Sequence, residues 1–437
     1  MVNNLEKKSP VLFIIGLLCL LSPESRAQDE VHMKVRSEGL RRIVLAVSPF
    51  QPSRQTDLGD QLRRIIINDL ELSGFFQIVD LSDSENKDLL NLRSISRPGN
   101  WDLNAAVLLE NNFELRGGTI SLNSRLQELP TYQQIFEKDF NSSLRTIRQL
   151  GHRVADEVTY YLTGDPGIAN TKIAFVTVGK TAKEIAVADY DGYGVQPITS
   201  NGSLNLSPCW APDGKFIAFT SYLRGNPDLY VLRLSDGRTV NASKQNVLHS
   251  APAWSPDGKK IAMTLSKNGN SDIYTMEVKG ERIRRLTNNP SIDSSPSWSP
   301  NGRGIVFTSG RSGTPQIYIM DSDGGSVRRL TFEGSYNASP VWSPRGDLIA
   351  FVSRESGRFQ IYTIDVNGEN LYPVTDSPGN HENPSWSPNG MWLTFASNGE
   401  GKWDIYVVHW DGTELRRLTH NGGNVSPSWS PQLKHKE

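Results

Sequence analysis

Histidines are the first residues to weigh for chemistry. The chain has seven: His32, His152, His249, His381, His409, His420 and His435. Only His249 and His381 occupy comparable places, each just ahead of a tryptophan, and they lie 132 residues apart. A protein-bound transition metal needs several ligands converging on one point, and two histidines this far apart do not supply them. Two acidic segments, Asp189-Tyr190-Asp191-Gly192 and Asp321-Ser322-Asp323-Gly324, have the look of calcium loops. Such a loop places its glycine sixth and a bidentate glutamate twelfth; here the glycine is fourth and the twelfth residues are Ser200 and Phe332. They read as hairpin turns. An acyl-transferring serine would need a Gly-x-Ser-x-Gly elbow on an α/β domain, and the sequence contains none. No catalytic residue, metal or cofactor is therefore expected.

What positions these residues is a repeat. Trp-Ser-Pro, once Trp-Ala-Pro, occurs at Trp210, Trp254, Trp298, Trp342, Trp386 and Trp429, at spacings of 44, 44, 44, 44 and 43. A Gly turn follows each of the first five, as in Asp213-Gly214 or Asn301-Gly302. Next come a β-rich run such as Phe216–Ser221, a run ending in an aromatic such as Ile317-Tyr318, and a last run such as Arg284-Arg285-Leu286-Thr287. Four short strands per 40–45 residues mark a propeller blade. One small antiparallel sheet cannot cover both its faces, so blades stack, and the large, partly polar Trp fills the space between them. Lys172–Thr177 (KIAFVT) matches a second strand that has no Trp strand ahead of it. Trp429 begins no further blade. The last Trp strand should then complete the blade begun at Lys172, giving six blades and no free edge at the seam. In that ring His249 and His381 face each other across the channel. The Arg-Arg pairs at Arg284, Arg328 and Arg416 recur at one place and read as charged outer strands that discourage edge pairing.

The loops ahead of the Trp strands should converge on one mouth of the channel. Small and polar groups on rigid strand ends suit the docking of a folded partner, which marks His249, Ala251, Ser294 and His381 as a candidate rim. With 437 residues the chain is long enough for two domains. A net charge of −1 gives no basic excess for nucleic acid. Residues 1–27 read as a cleaved export signal: Lys7 and Lys8, then an 11-residue apolar run from Val11 to Leu21, then Ser25-Arg26-Ala27 before Gln28. Its removal leaves Cys209 as the one cysteine, so no internal disulfide is expected.

Between the signal and the repeats, residues 28–163 read as a small α/β domain with a mixed sheet, and 164–170 as a linker to the propeller of 171–437. Strands are expected at Arg42–Phe50, Gly74–Asp80, Ala105–Leu109, Phe113–Arg116 and Thr119–Leu126. Leu58, Leu62, Ile65, Ile66 and Leu70 form one helix stripe. Leu144, Ile147, Leu150, Val154, Val158 and Tyr161 form another, over Ser142–Leu162. Ahead of them Val31, Met33 and Val35 alternate with His32, Lys34 and Arg36, the pattern of a strand able to dock on its own domain or add to a partner's sheet.

The junction segments Gly151-His152-Arg153-Val154-Ala155-Asp156-Glu157, Leu162-Thr163-Gly164 and Thr171–Phe175, with Ser48-Pro49-Phe50 and Phe76–Asp80, resemble the TolB family, periplasmic β-propeller proteins of the Tol-Pal envelope system. The resemblance spans essentially the whole chain after the signal. It implies a non-enzymatic scaffold that binds the peptidoglycan-associated lipoprotein Pal on one propeller face and TolA through the amino-terminal segment of Val31, Met33 and Val35. It implies support of outer-membrane integrity and of constriction during division, from the periplasm, by a monomer that meets membranes only through its partners. The competing reading is a propeller enzyme, peptidase-like or a carbohydrate lyase, acting on envelope polymers.

Overall fold

The computed structural model describes residues 42–50, 56–82, 107–242, 248–355 and 357–433. The signal segment and the strand expected at Val31, Met33 and Val35 lie outside the described residues.

The first domain is a five-stranded mixed sheet under two helices. Its elements are β1 (Ile43–Val47), α1 (Thr56–Leu72), β2 (Phe76–Asp80), β3 (Val107–Arg116), β4 (Thr119–Glu128), β5 (Gln133–Ser143) and α2 (Ile147–Thr163). The sheet order is β2-β1-β3-β4-β5. β1 runs parallel to β2 and β3, while β3, β4 and β5 form an antiparallel meander. Alternation decides the faces: Leu45 and Val47 point to the helices, Ala46 to the opposite side. The helices press so closely that a Cβ on Gly151 would come within 2.5 Å of the Ile65 side chain. α2 ends at Gly164, whose φ of 77° lets its N–H reach the Tyr160 carbonyl.

Three expectations shift here. The runs expected as separate strands ending at Leu109 and at Arg116 are one strand, β3, paired with β4 without a break. α2 starts at Ile147, not Ser142, because β5 keeps its pairing with β4 through Ser143 and a single 3-10 turn follows at Leu144–Thr146. β5 itself was not expected. It is an edge strand with only Phe140 fully buried, so its sequence carries almost no apolar alternation.

From Lys172 the chain builds six four-stranded antiparallel blades. Blade 1 has its innermost strand supplied by the chain end: Asn424–Trp429 pairs with Lys172–Val178. The innermost strands of blades 2 to 6 are Asn205–Trp210, Leu248–Trp254, Asp293–Trp298, Asn337–Trp342 and His381–Trp386. The ring therefore closes as the repeat implies. Three of the tryptophans bond across a blade boundary: the indole N–H of Trp210 donates to Ser428 O at 3.1 Å, that of Trp298 to Ala253 O, and that of Trp386 to Val341 O, whereas that of Trp342 donates to Gly346 O in its own blade. Trp429 donates to Thr171 Oγ1 at 2.9 Å, tying the last strand to the start of the propeller.

The two parts share a core. Leu70, Leu72 and Phe76 of the first domain cluster with Ile173, Tyr190, Met391, Trp392 and Trp429 of blades 1 and 6. In each blade the turns after the first and third strands open on one face, and the remaining links open on the other. Tyr190 and Met391 belong to the first kind of turn and Trp392 opens the strand that follows one, so the small domain covers that face over blades 1 and 6. The opposite face is the one on which the inner strands begin.

Candidate partner-binding face

Every inner strand carries a buried polar residue at its first position, or at its second in blade 3: Asn205, His249, Asp293, Asn337, His381 and Asn424. These residues knit neighbouring strands together. Asn337 Nδ2 donates to Gln316 Oε1 and Glu333 O, both at 2.8 Å, and Asn424 Nδ2 donates to Asp404 Oδ1 at 3.0 Å and Asn421 Oδ1 at 2.8 Å. The same acceptors take the hydroxyls of Thr331 and Thr419, whose oxygens in turn accept the amides of Ile317 and Ile405. His249 and His381 occupy this structural place. They are 0% and 1% exposed and lie within strands, which corrects the expectation of loop residues on an accessible rim. His381 Nε2 sits 3.2 Å from Ser377 Oγ, and its ring packs on Phe395. Burial pulls its pKa below the ordinary histidine value, so the neutral form is favoured.

Two residues further on, each inner strand carries a bulge. Ser207, Ala251, Ser295, Ser339, Asn383 and Ser426 all have φ between 48° and 56°, and each precedes a proline. The inner strand spends one residue more than its neighbour at this point. An amide freed from the ladder finds a partner in the preceding blade: Ser295 N–H donates to Thr264 Oγ1 at 3.0 Å and Ser339 N–H to Thr308 Oγ1 at 3.1 Å. Ala251 therefore lies in a strand, not a loop, and is half-buried; Ser294 is paired opposite Thr308 and also half-buried.

The accessible apolar groups on this open face are others. Ile292 is 62% exposed, Phe332 73% and Leu223 49%. Ile292 and Phe332 stand in the links to the inner strands of blades 4 and 5, and Leu223 in the second-to-third-strand loop of blade 2. Sequence reasoning missed them, although a lone Ile in Asn-Pro-Ser-Ile292-Asp-Ser and a lone Phe in Thr-Phe332-Glu-Gly were visible signals. Among the described residues no group of three or more His, Cys, Asp or Glu is placed to hold a metal ion.

Residues 160–433 match the TolB β-propeller domain and residues 31–134 the TolB amino-terminal domain. The chain belongs to the TolB family. The crystal structure of TolB from Acinetobacter baumannii is similar over 90% of this chain and 97% of that one, with 30% identity and a TM-score of 0.76. The Tol-Pal system protein TolB of Desulfosudis oleivorans is 36% identical over 54% of this chain and 55% of its own length. That of Nitrosomonas europaea is 34% identical over 51% and 52%. The chain thus spans about half the length of the curated relatives it matches.

The covered face of this TolB-family chain holds a charged cluster that the sequence reading left unassigned. His152 of α2 lies 2.6 Å through Nδ1 from Asp69 Oδ2 of α1, and Tyr190 of blade 1 donates to Asp69 Oδ1 at 2.7 Å. Asp189 takes Lys172 Nζ at 2.5 Å and Arg148 Nε at 2.8 Å, with His152 Nε2 at 3.9 Å; Arg148 also reaches Asp191. The Asp189-Tyr190-Asp191-Gly192 turn is thus a hairpin turn that also docks the helices. Burial alone would lower the His152 pKa, but the Asp69 and Asp189 carboxylates outweigh it and hold it at about 9. Burial would raise Asp189; His152, Lys172 and Arg148 outweigh that and hold its carboxyl well below the usual range. Asp156, one turn on in α2, accepts the amides of Ala169 and Asn170 and the side chain of Gln432, yet burial still pushes it up to about 7.

Proposed function

We propose that this chain is a periplasmic, non-catalytic scaffold of the Tol-Pal envelope complex. In this reading it is exported by the 1–27 signal, binds the lipoprotein Pal on the open propeller face and TolA through residues 28–36, and supports outer-membrane integrity and constriction during division. The observation that carries it is the contrast of exposed Ile292, Phe332 and Leu223 with the rigid, bulged strands beneath them. Apolar side chains on a face held fixed by neighbouring blades can bind without large ordering costs. No helix among the described residues is long and apolar enough to cross a membrane. The relatives' names place them in the Tol-Pal system, which supports the choice of partners over the enzymatic reading.

Calorimetry with purified Pal tests it. Ala251→Glu puts a charge into a half-buried strand position and Ile292→Ser with Phe332→Ser removes the exposed apolar groups; each is expected to weaken binding at least about tenfold, the 1.4 kcal/mol of one lost anchor. Unchanged Pal affinity in the folded Ile292→Ser, Phe332→Ser protein would overturn the assignment of this face. Deleting residues 28–36 should remove TolA binding and leave Pal binding in place.

A further inference from the structure

Each inner strand has one residue between its buried polar group and its bulge. In blades 1 to 6 these are Val425, Leu206, Ser250, Ser294, Ala338 and Glu382, five uncharged residues and an acid. Glu382 pairs opposite Ala396 of the second strand of blade 6. Residues directly opposite in an antiparallel pair share a face, and Ala396 clusters with Ile173 and Trp429 of blade 1. Glu382 therefore lies on the face of blade 6 that meets blade 1, at its open end. The contacts around it cross the same boundary: Ser385 Oγ accepts the Trp429 amide at 3.0 Å, and the Ser426 hydroxyl lies 3.5 Å from Asn383 Oδ1.

This boundary differs from those after blades 3 and 4. There Ser250 and Ser294 stand opposite Thr264 and Thr308, whose hydroxyls take the bulge amides of Ser295 and Ser339. In blade 6 the threonine is replaced by Ala396, whose side chain offers no acceptor, and the small serine by a glutamate. Glu382 is half-buried, and among the described residues its carboxylate meets neither a hydrogen-bond donor nor a cation. Other acids of the open face have both: Asp272 is paired with Arg285 at 2.6 Å, Asp293 with Arg311 at 2.9 Å and Asp404 with Arg417 at 2.7 Å. Taking a carboxylate out of water without a partner is unfavourable, and burial alone pushes the Glu382 carboxyl above the ordinary glutamate value. Such a group in a cleft points to a function that the fold itself does not satisfy.

We propose that Glu382 receives a lysine or arginine side chain of the protein that docks on the open face, the cation entering at the mouth of the channel between blades 6 and 1. The inference rests on the reading of this face as the docking surface for Pal and names one charge that Pal must bring to it. Asn383 Oδ1 and the Ser426 hydroxyl are acceptors at the same boundary for the further N–H groups of such a cation. A partner presenting an acid there meets a like charge, so the same residue selects against it.

Urea unfolding of the full chain alone is the first test. At pH 7.5 Glu382→Gln should have the same urea midpoint as the unaltered protein or a higher one, because the fold has no partner to lose. A clearly lower midpoint would give the carboxylate a partner within the fold and overturn the proposal. Millimolar calcium that raises the midpoint of the unaltered chain and not of Glu382→Gln would assign the carboxylate to a metal ion and overturn it too. Calorimetry with Pal then reads the charge. Affinity should fall at least about tenfold in Glu382→Gln, and salt should weaken binding less than it does for the unaltered chain. Replacing the lysines and arginines of Pal by glutamine, one at a time, should find one whose loss adds nothing to that of Glu382→Gln. Equal binding of Pal by both chains would overturn this inference and leave the Pal reading standing. Weaker binding with no such coupled cation would reduce Glu382 to a structural group and overturn it as well. No binding of Pal by the unaltered chain would overturn the reading of the face, and the inference with it.

Discussion

The two faces of the propeller place their buried charges differently. On the covered face, charges are buried between helix and blade: Asp69 is 2% exposed and is held by both His152 and Tyr190. On the open face, amides, hydroxyls and bulges repeat around the ring, and the buried carboxylates of Asp272, Asp293 and Asp404 are each paired with an arginine of their own blade, Arg285, Arg311 and Arg417. A buried charge is tolerable only while its partner stays. The amide and hydroxyl hydrogen bonds repeated blade by blade lose about 1 kcal/mol at a time. The covered face should therefore behave as a single lock, and the open face as a surface that accepts substitution, which suits a region that meets partners.

The sharpest way to break this comparison is Asp69→Ala. It strands His152 and Tyr190 together in a buried site and should cost about 3–5 kcal/mol in urea unfolding. A loss under about 1 kcal/mol would place the lock elsewhere. The pH dependence sharpens the same point. His152 is held at about 9 against an ordinary 6.5, so its folded pKa is raised. Its contribution is complete below pH 6.5 and disappears as pH rises through 9. Between those limits the unaltered protein should lose about 3 kcal/mol more than His152→Gln does, from about 1.4 kcal/mol per pKa unit. Matching slopes for the two proteins between pH 6.5 and 9.5 would remove the charge from the argument.

The propeller was legible because Trp and turn glycines repeat at fixed spacing, and closure followed from a missing strand at one end and a spare one at the other. The small domain was legible in its helices, whose stripes are long, and less so in its sheet. β5 hides because only Phe140 among its 11 residues is fully buried. The charged lock was invisible as such: Asp69, His152 and Tyr190 come from segments separated by 83 and 38 positions, and only the packing of α1, α2 and blade 1 joins them. The rim was half legible. Aligning His249 with His381 found a real position in the repeat. The alignment could not show that this position faces the blade interior, because the same place holds Asn or Asp in the other blades for a structural hydrogen bond.

The bulges give the smallest and most discriminating test. Five of the six positive-φ positions hold Ser or Asn, whose short polar side chains suit local hydrogen bonding, and Asn in particular tolerates a left-handed backbone. The sixth is Ala251, at φ 48°. A Cβ at such a φ crowds the following carbonyl, and alanine has no polar group with which to offset it. Ala251→Asn copies blade 6, where Asn383 sits at φ 56°, and should raise stability by about 0.5 kcal/mol. Thermal unfolding measures it as a rise of a degree or two, since a 1 kcal/mol change moves a domain of a few hundred residues by about 2–4 °C. If the open face is a tolerant ring, the gain should add to the loss from Asp69→Ala within about 0.5 kcal/mol, because the two sites share no partner. A larger deviation would show that the faces are coupled through the blades, and the division between lock and docking surface would have to be given up.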